Sequence, residues 1–142
     1  MRWWHSCGRR VLSSHVDPVP HRYPFRLVER VETMGGQRVV VALISAGGSL
    51  TGPTPWPVSL IAEALAQSVL LVFPPRAIQG LRLLGLDDVR VFQAVRTGDR
   101  LEVRVEELVT FGSLRRFAGR AVRSGALVAA AVVTVSCGSG QG

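Results

Sequence analysis

Lysine and asparagine are absent from the 142 residues, cysteine occurs twice, and three isoleucines stand against 22 valines. All 17 basic residues are therefore arginine. Both missing amino acids have AT-rich codons, so a GC-rich genome accounts for the gap without selection for the guanidinium group. Cys7 and Cys137 lie near opposite termini, which makes no metal or redox motif and reads as two free thiols in a reducing cytoplasm. No apolar run is long enough to span a bilayer. The longest, Val58 to Phe73, is interrupted by Glu63 and Gln67, which excludes membrane insertion. The first sixteen residues hold three arginines and no acid, but lack the apolar core of a secretory signal. They read as a flexible basic arm.

What is present suits one packed domain. At 47% hydrophobic and 19% charged residues the chain can build a single core, which excludes disorder and a simple charged coiled coil. The valine excess leans toward strands. A formal charge of +7 favours acidic partners through an attraction that salt weakens. The arginines are scattered, with the densest pairs at Arg9–Arg10 and Arg115–Arg116. Without an aromatic-rich basic platform or zinc-finger spacing, nucleic acid is disfavoured against an anionic membrane surface or a small acidic carrier protein.

Periodicity and turn chemistry order the elements. Phe25 to Met34 reads as a strand ended by Gly35–Gly36, and Gln37 to Ser45 as its hairpin partner. Gly47 to Pro57 holds three glycines and three prolines and is a loop. Pro57 suits the first turn of a helix that runs to about Val72, before Pro74–Pro75. That helix is apolar nearly all round, the mark of a core helix. Ser59, Glu63 and Gln67 alone form a polar row at i, i+4 and i+8, while Ser68 points elsewhere and can bond back to its own helix. Val89 to Arg96 reads as the next strand, then the alternating stretch from Leu101 to Glu106, Leu114 to Arg123, and Ala126 to Ser136 after the Ser124–Gly125 turn. The expected class is α+β, an antiparallel sheet curled round one helix.

Specific residues sharpen this. Pro20-His21-Arg22-Tyr23-Pro24-Phe25 with Leu27-Val28-Glu29-Arg30-Val31 resembles the opening of the β-hydroxyacyl-acyl-carrier-protein dehydratases of fatty-acid synthesis. Leu60-Ile61-Ala62-Glu63-Ala64-Leu65-Ala66-Gln67 is similar to their central helix. Gly98-Asp99 and Phe111 to Gly119 are similar to their later motifs, so the resemblance runs from Val19 to Ser136. It implies a hotdog fold, a curved antiparallel sheet wrapped around one long central helix. The domain is expected at residues 18–137, between a basic arm at 1–17 and a disordered tail at 138–142.

In that family a loop histidine and a glutamate fourteen residues later share catalysis across a dimer interface. Counting back from Glu63 places Ser49 where the histidine is expected, within Gly48-Ser49-Leu50-Thr51-Gly52. The family's Pro-Gly before the helix reads Pro57-Val58, and the resemblance implies that the second amide polarises the thioester carbonyl. Dehydration needs a base at C2 and an acid at the departing C3 hydroxyl, with donors facing the enolate-like oxygen. Glu63 is the candidate catalytic residue, and burial suits its carboxyl to proton transfer. Equally, a buried glutamate bonded to Gln67 or to backbone can be structural. Ser49 cannot replace histidine as a base at neutral pH and reads as a loop hydroxyl.

The remaining site expectations are Gly48, Pro57, Val58 and Gln67 for substrate binding and His21 for positioning. No metal and no cofactor is expected beyond the substrate's own phosphopantetheine. Three functions are open: a dehydratase-like lyase for (3R)-hydroxyacyl thioesters, an acyl-thioester hydrolase using Glu63, or a silent acyl-binding or assembly subunit. The first could need a partner to supply the histidine. Expected partners are acyl carrier protein or acyl-CoA and a second hotdog chain, identical or homologous, in the cytoplasm.

Overall fold

Extended segments build the sheet, and one nearly all-apolar segment builds the helix it encloses. The computed structural model describes residues 27–28, 30–34, 37–43 and 54–138. Its elements are β1 (Arg30–Met34), β2 (Gln37–Leu43), α1 (Val58–Leu71), a single turn α2 (Pro75–Ile78), β3 (Leu81–Val91), β4 (Arg100–Phe111), β5 (Leu114–Arg123) and β6 (Ala126–Cys137). The arm at residues 1–17 and the end of the tail lie outside the described residues.

The six strands form one sheet in the order β1-β2-β4-β5-β6-β3, and every neighbouring pair is antiparallel. β3 follows the helix in sequence yet lies at the far edge, while β4 returns beside β2. The chain therefore crosses beneath the sheet as α1, which touches β2, β3, β4, β5 and β6. Only a curved sheet brings five strands onto one helix. The expected α+β layout is observed.

β6 alternates in burial from Ala129 to Val135, and β5 does so from Phe117 to Val122 except that Ala118 is also buried. Phe117, Gly119 and Ala121 face the helix opposite Val133, Ala131 and Ala129. At Gly119 a Cβ would lie 3.5 Å from Leu65 Cδ2, within van der Waals contact of the helix. Ile61, Leu65 and Val69 from α1 fill the space between Leu101, Val103, Val128 and Val133. At the end of α1, Phe73 meets Phe117 edge to face at 5.5 Å, and Arg115 lies over the Phe73 ring.

The strand expected at Val89–Arg96 is instead Leu81–Val91. Register shifts at Leu83/Gly85 and Asp87/Arg90 break its alternation, and Asp88 adopts a positive φ of 50°. As an edge strand it is also partly wet along much of its length, which removes the inside–outside contrast that periodicity detects. Residues 92–96 form a connection rather than a strand.

Candidate active site

The polar row of α1 runs from solvent into the core. Ser59 is exposed, Glu63 half-buried and Gln67 only 1% exposed. The backbone N–H of Leu27 donates to Gln67 Oε1 at 2.9 Å. Because that N–H can only donate, the amide oxygen must face it and the NH₂ must face the other way. Gln67 Nε2 then donates to Glu63 Oε1 at 2.9 Å, so the orientation of the amide and one bond of the carboxylate are set together. Ser68 lies off this row and donates to the Ala64 carbonyl at 2.7 Å, the local bond expected of it.

The start of the helix supplies the second component. Pro57 is the N-cap residue, with φ −66° and ψ 155°, and the end has no side-chain cap. Its carbonyl accepts the N–H groups of Leu60 and Ile61. The leading amides of a helix have no intrahelical acceptor, and the helix dipole favours negative charge there. Pro57 is exposed and Val58 is 54% exposed. Glu63 follows Val58 by five residues, about 7.5 Å along the axis. Both therefore lie in the first half of the helix. Donors that polarise a carbonyl and a carboxylate that moves a proton nearby are the components enolate chemistry requires.

Sequence reading assigned no part to Trp56, which stands between Pro55 and Pro57. A large aromatic inside a glycine- and proline-rich loop was the available signal. Trp56 is 4% exposed, and its indole Nε1 is buried without a hydrogen-bond partner among the described residues. Its backbone N–H donates to the Val95 carbonyl at 2.7 Å.

The structure thus brings Glu63 and Gln67 together and places Pro57 and Val58 at the exposed helix start. Gly48, Ser49 and His21 lie outside the described residues. Among the described residues no group of three His, Cys, Asp or Glu side chains could hold a metal ion. No helix among them is long and apolar enough to cross a membrane.

No protein-family model matches the chain. Individual relatives do. The 3-hydroxyacyl-acyl-carrier-protein dehydratase FabZ of Actinobacillus succinogenes is 39% identical over 118 residues, covering 75% of this chain and 79% of that protein. FabZ of Myxococcus xanthus is 35% identical over 123 residues, covering 78% and 80%. Among solved structures, the dehydratase heterocomplex ApeI:P from Xenorhabdus doucetiae matches with a TM-score of 0.65 at 17% identity, covering 87% of this chain and 90% of that one. That last likeness is one of fold. With identities above a third spread over most of both sequences, the chain belongs to the 3-hydroxyacyl-acyl-carrier-protein dehydratase FabZ family of hotdog proteins.

Proposed function

We propose that the protein binds (3R)-hydroxyacyl thioesters of acyl carrier protein and dehydrates them with the help of a partner chain. The observation that carries this is Glu63, half-buried on the central helix and held by Gln67, in a chain of this family. The thioester carbonyl sits at the Val58 end of α1, where the leading amides and the helix dipole stabilise the oxygen as negative charge builds on it. One group takes the C2 proton while another gives a proton to the C3 hydroxyl, which leaves as water, and an enoyl thioester remains. Glu63 carries one of these transfers. Gln67, engaged with backbone on one side and carboxylate on the other, orients Glu63.

The second transfer needs a group that Ser49 is not. A homologous hotdog chain that retains the loop histidine would supply it across a shared interface. The β3 edge suits such pairing. Among the described residues β3 pairs with β6 on one side only, and Leu83 and Leu84 there are 49% and 56% exposed, an open edge that proteins ordinarily cover. The excess of arginine attracts an acidic carrier, and a cytoplasmic setting fits both partners.

The test offers purified protein a 3-hydroxyacyl carrier thioester and a saturated acyl thioester, with and without a histidine-bearing hotdog chain, as wild type and Glu63→Gln. Enoyl product that needs the partner and is lost in Glu63→Gln is the expected result. Thiol release from the saturated thioester, lost in the same variant, would replace the proposal with hydrolysis. Acyl binding without turnover under any of these conditions would leave a silent subunit. An activity that Glu63→Gln does not change would remove Glu63 from its assigned role.

A further inference from the structure

Helix α1 has no side-chain N-cap and no acidic residue in its first turn. Pro57 marks where it begins, but no side chain of its own holds that end in place. A contact from outside does. The backbone N–H of Trp56, immediately before the N-cap residue, donates to the Val95 carbonyl at 2.7 Å. Val95 belongs to the connection between β3 and β4, and its side chain is fully buried.

That connection is in turn gripped by one cation. Arg123, the last residue of β5, donates from Nη1 to Asp99 Oδ2 at 2.6 Å and to the Ala94 carbonyl at 2.9 Å, and from Nη2 to Gln93 Oε1 at 3.1 Å. Asp99 Oδ2 also accepts the Arg96 N–H at 2.9 Å, while the Asp99 N–H donates to the Arg96 carbonyl at 3.1 Å. Gly98 supplies the positive φ, 94°, that the third position of such a turn requires. The Arg123 and Asp99 side chains are 29% and 25% exposed, more sheltered than a typical surface ion pair. A planar guanidinium is suited to holding several acceptors in fixed directions, which an ammonium is not.

We infer that Arg123 is a positioning residue: by clamping residues 93–99 it fixes the Val95 carbonyl, and through Trp56 it sets the start of α1 relative to the sheet. The catalytic consequence rests on the proposed function; the geometric one does not. A displaced helix start would misalign the leading amides with a developing oxyanion while leaving Glu63 and the apolar walls in place.

Amide hydrogen exchange and steady-state kinetics of Arg123→Ala and Arg123→Lys test this in the full chain. In Arg123→Ala the Trp56 amide should exchange about tenfold faster while the Val133 amide, in the interior strand β6, changes far less. With the partner chain present, kcat should fall about tenfold with KM nearly unchanged, because small misplacements act on the transition state. Arg123→Lys should recover part of both effects, since one bond to Asp99 can re-form. Trp56 and Val133 amides that move in step would overturn the inference and leave Arg123 a general stabiliser. If Arg123→Ala does not fold, Asp99→Asn loosens the same clamp and the same comparison of amides decides. Absence of any turnover in the wild type would refute the dehydratase proposal, while the exchange comparison would still decide the role of Arg123.

Discussion

Gln67→Met separates the structural from the chemical share of the polar row. Methionine keeps the length and flexibility of the side chain and removes both hydrogen bonds. The two losses are unequal. The Leu27 N–H is a backbone donor on a residue that is 2% exposed, so it stays where it is and loses its acceptor, Gln67 Oε1. An unmade buried hydrogen bond of this kind costs about 1–3 kcal/mol. Glu63 is half-buried, and water can replace Gln67 as donor, so that loss is well under 1 kcal/mol. The sum is about 2 kcal/mol, and for a domain of this size it lowers Tm by about 5–10 °C. Glu63→Gln behaves oppositely. Its amide oxygen still accepts from Gln67 Nε2, so stability shifts by less than about 1 kcal/mol while proton transfer is lost. Thermal or urea unfolding of both variants, alongside the dehydration assay, makes the comparison. A Gln67→Met protein that melts within 2 °C of wild type would refute the accounting, because it would mean that Leu27 does not depend on this amide.

Three further outcomes follow from packing. At Gly119 an added Cβ makes only ordinary contact with Leu65, so Gly119→Ala should be neutral or stabilise by up to about 1 kcal/mol. Gly119→Val pushes its extra methyls into Leu65 and should cost about 1–3 kcal/mol; equal unfolding midpoints for the two would contradict the close approach. Trp56→Phe removes ring packing but also the unpaired indole donor, so the two effects offset and the net loss should stay near 1 kcal/mol. A loss above 3 kcal/mol in urea unfolding would show that the N–H has a partner. If the proposed partner docks on the open β3 edge, Leu84→Arg places a charge in that interface and should shift sedimentation toward monomer, with folding of the single chain unaffected. An unchanged assembly would move the interface elsewhere.

What could be read along the chain was whatever depends on near neighbours. The β5–β6 hairpin was legible because Ser124 and Gly125 take positive φ values of 48° and 81°, the pair that a tight hairpin turn requires. The limits of α1 were legible from Pro57 and Pro74–Pro75, and the fourfold spacing of Glu63 and Gln67 placed both on one face. β3 was misplaced because bulges disrupt its period and its edge position weakens its burial contrast. Val95 imitated a strand residue because a connection, not a ladder, buries it.

The harder losses are contacts between residues distant in sequence. Gln67 reaches Leu27 forty positions away, and Arg123 reaches back 24 to 30 positions to Asp99, Ala94 and Gln93. No periodicity encodes such pairs, since they exist only after the sheet has closed round the helix. They matter most where local signals are weakest. Helical spacing alone puts the polar row of α1 on one face, but the helix start has no side-chain cap. Moving that start would redirect its leading amides without altering any residue of the family motif. Helical periodicity therefore finds Glu63, whereas the bonds that meet at the start of its helix, from Trp56 to Val95 and from Arg123 to the neighbouring Ala94 carbonyl, join residues far apart in sequence.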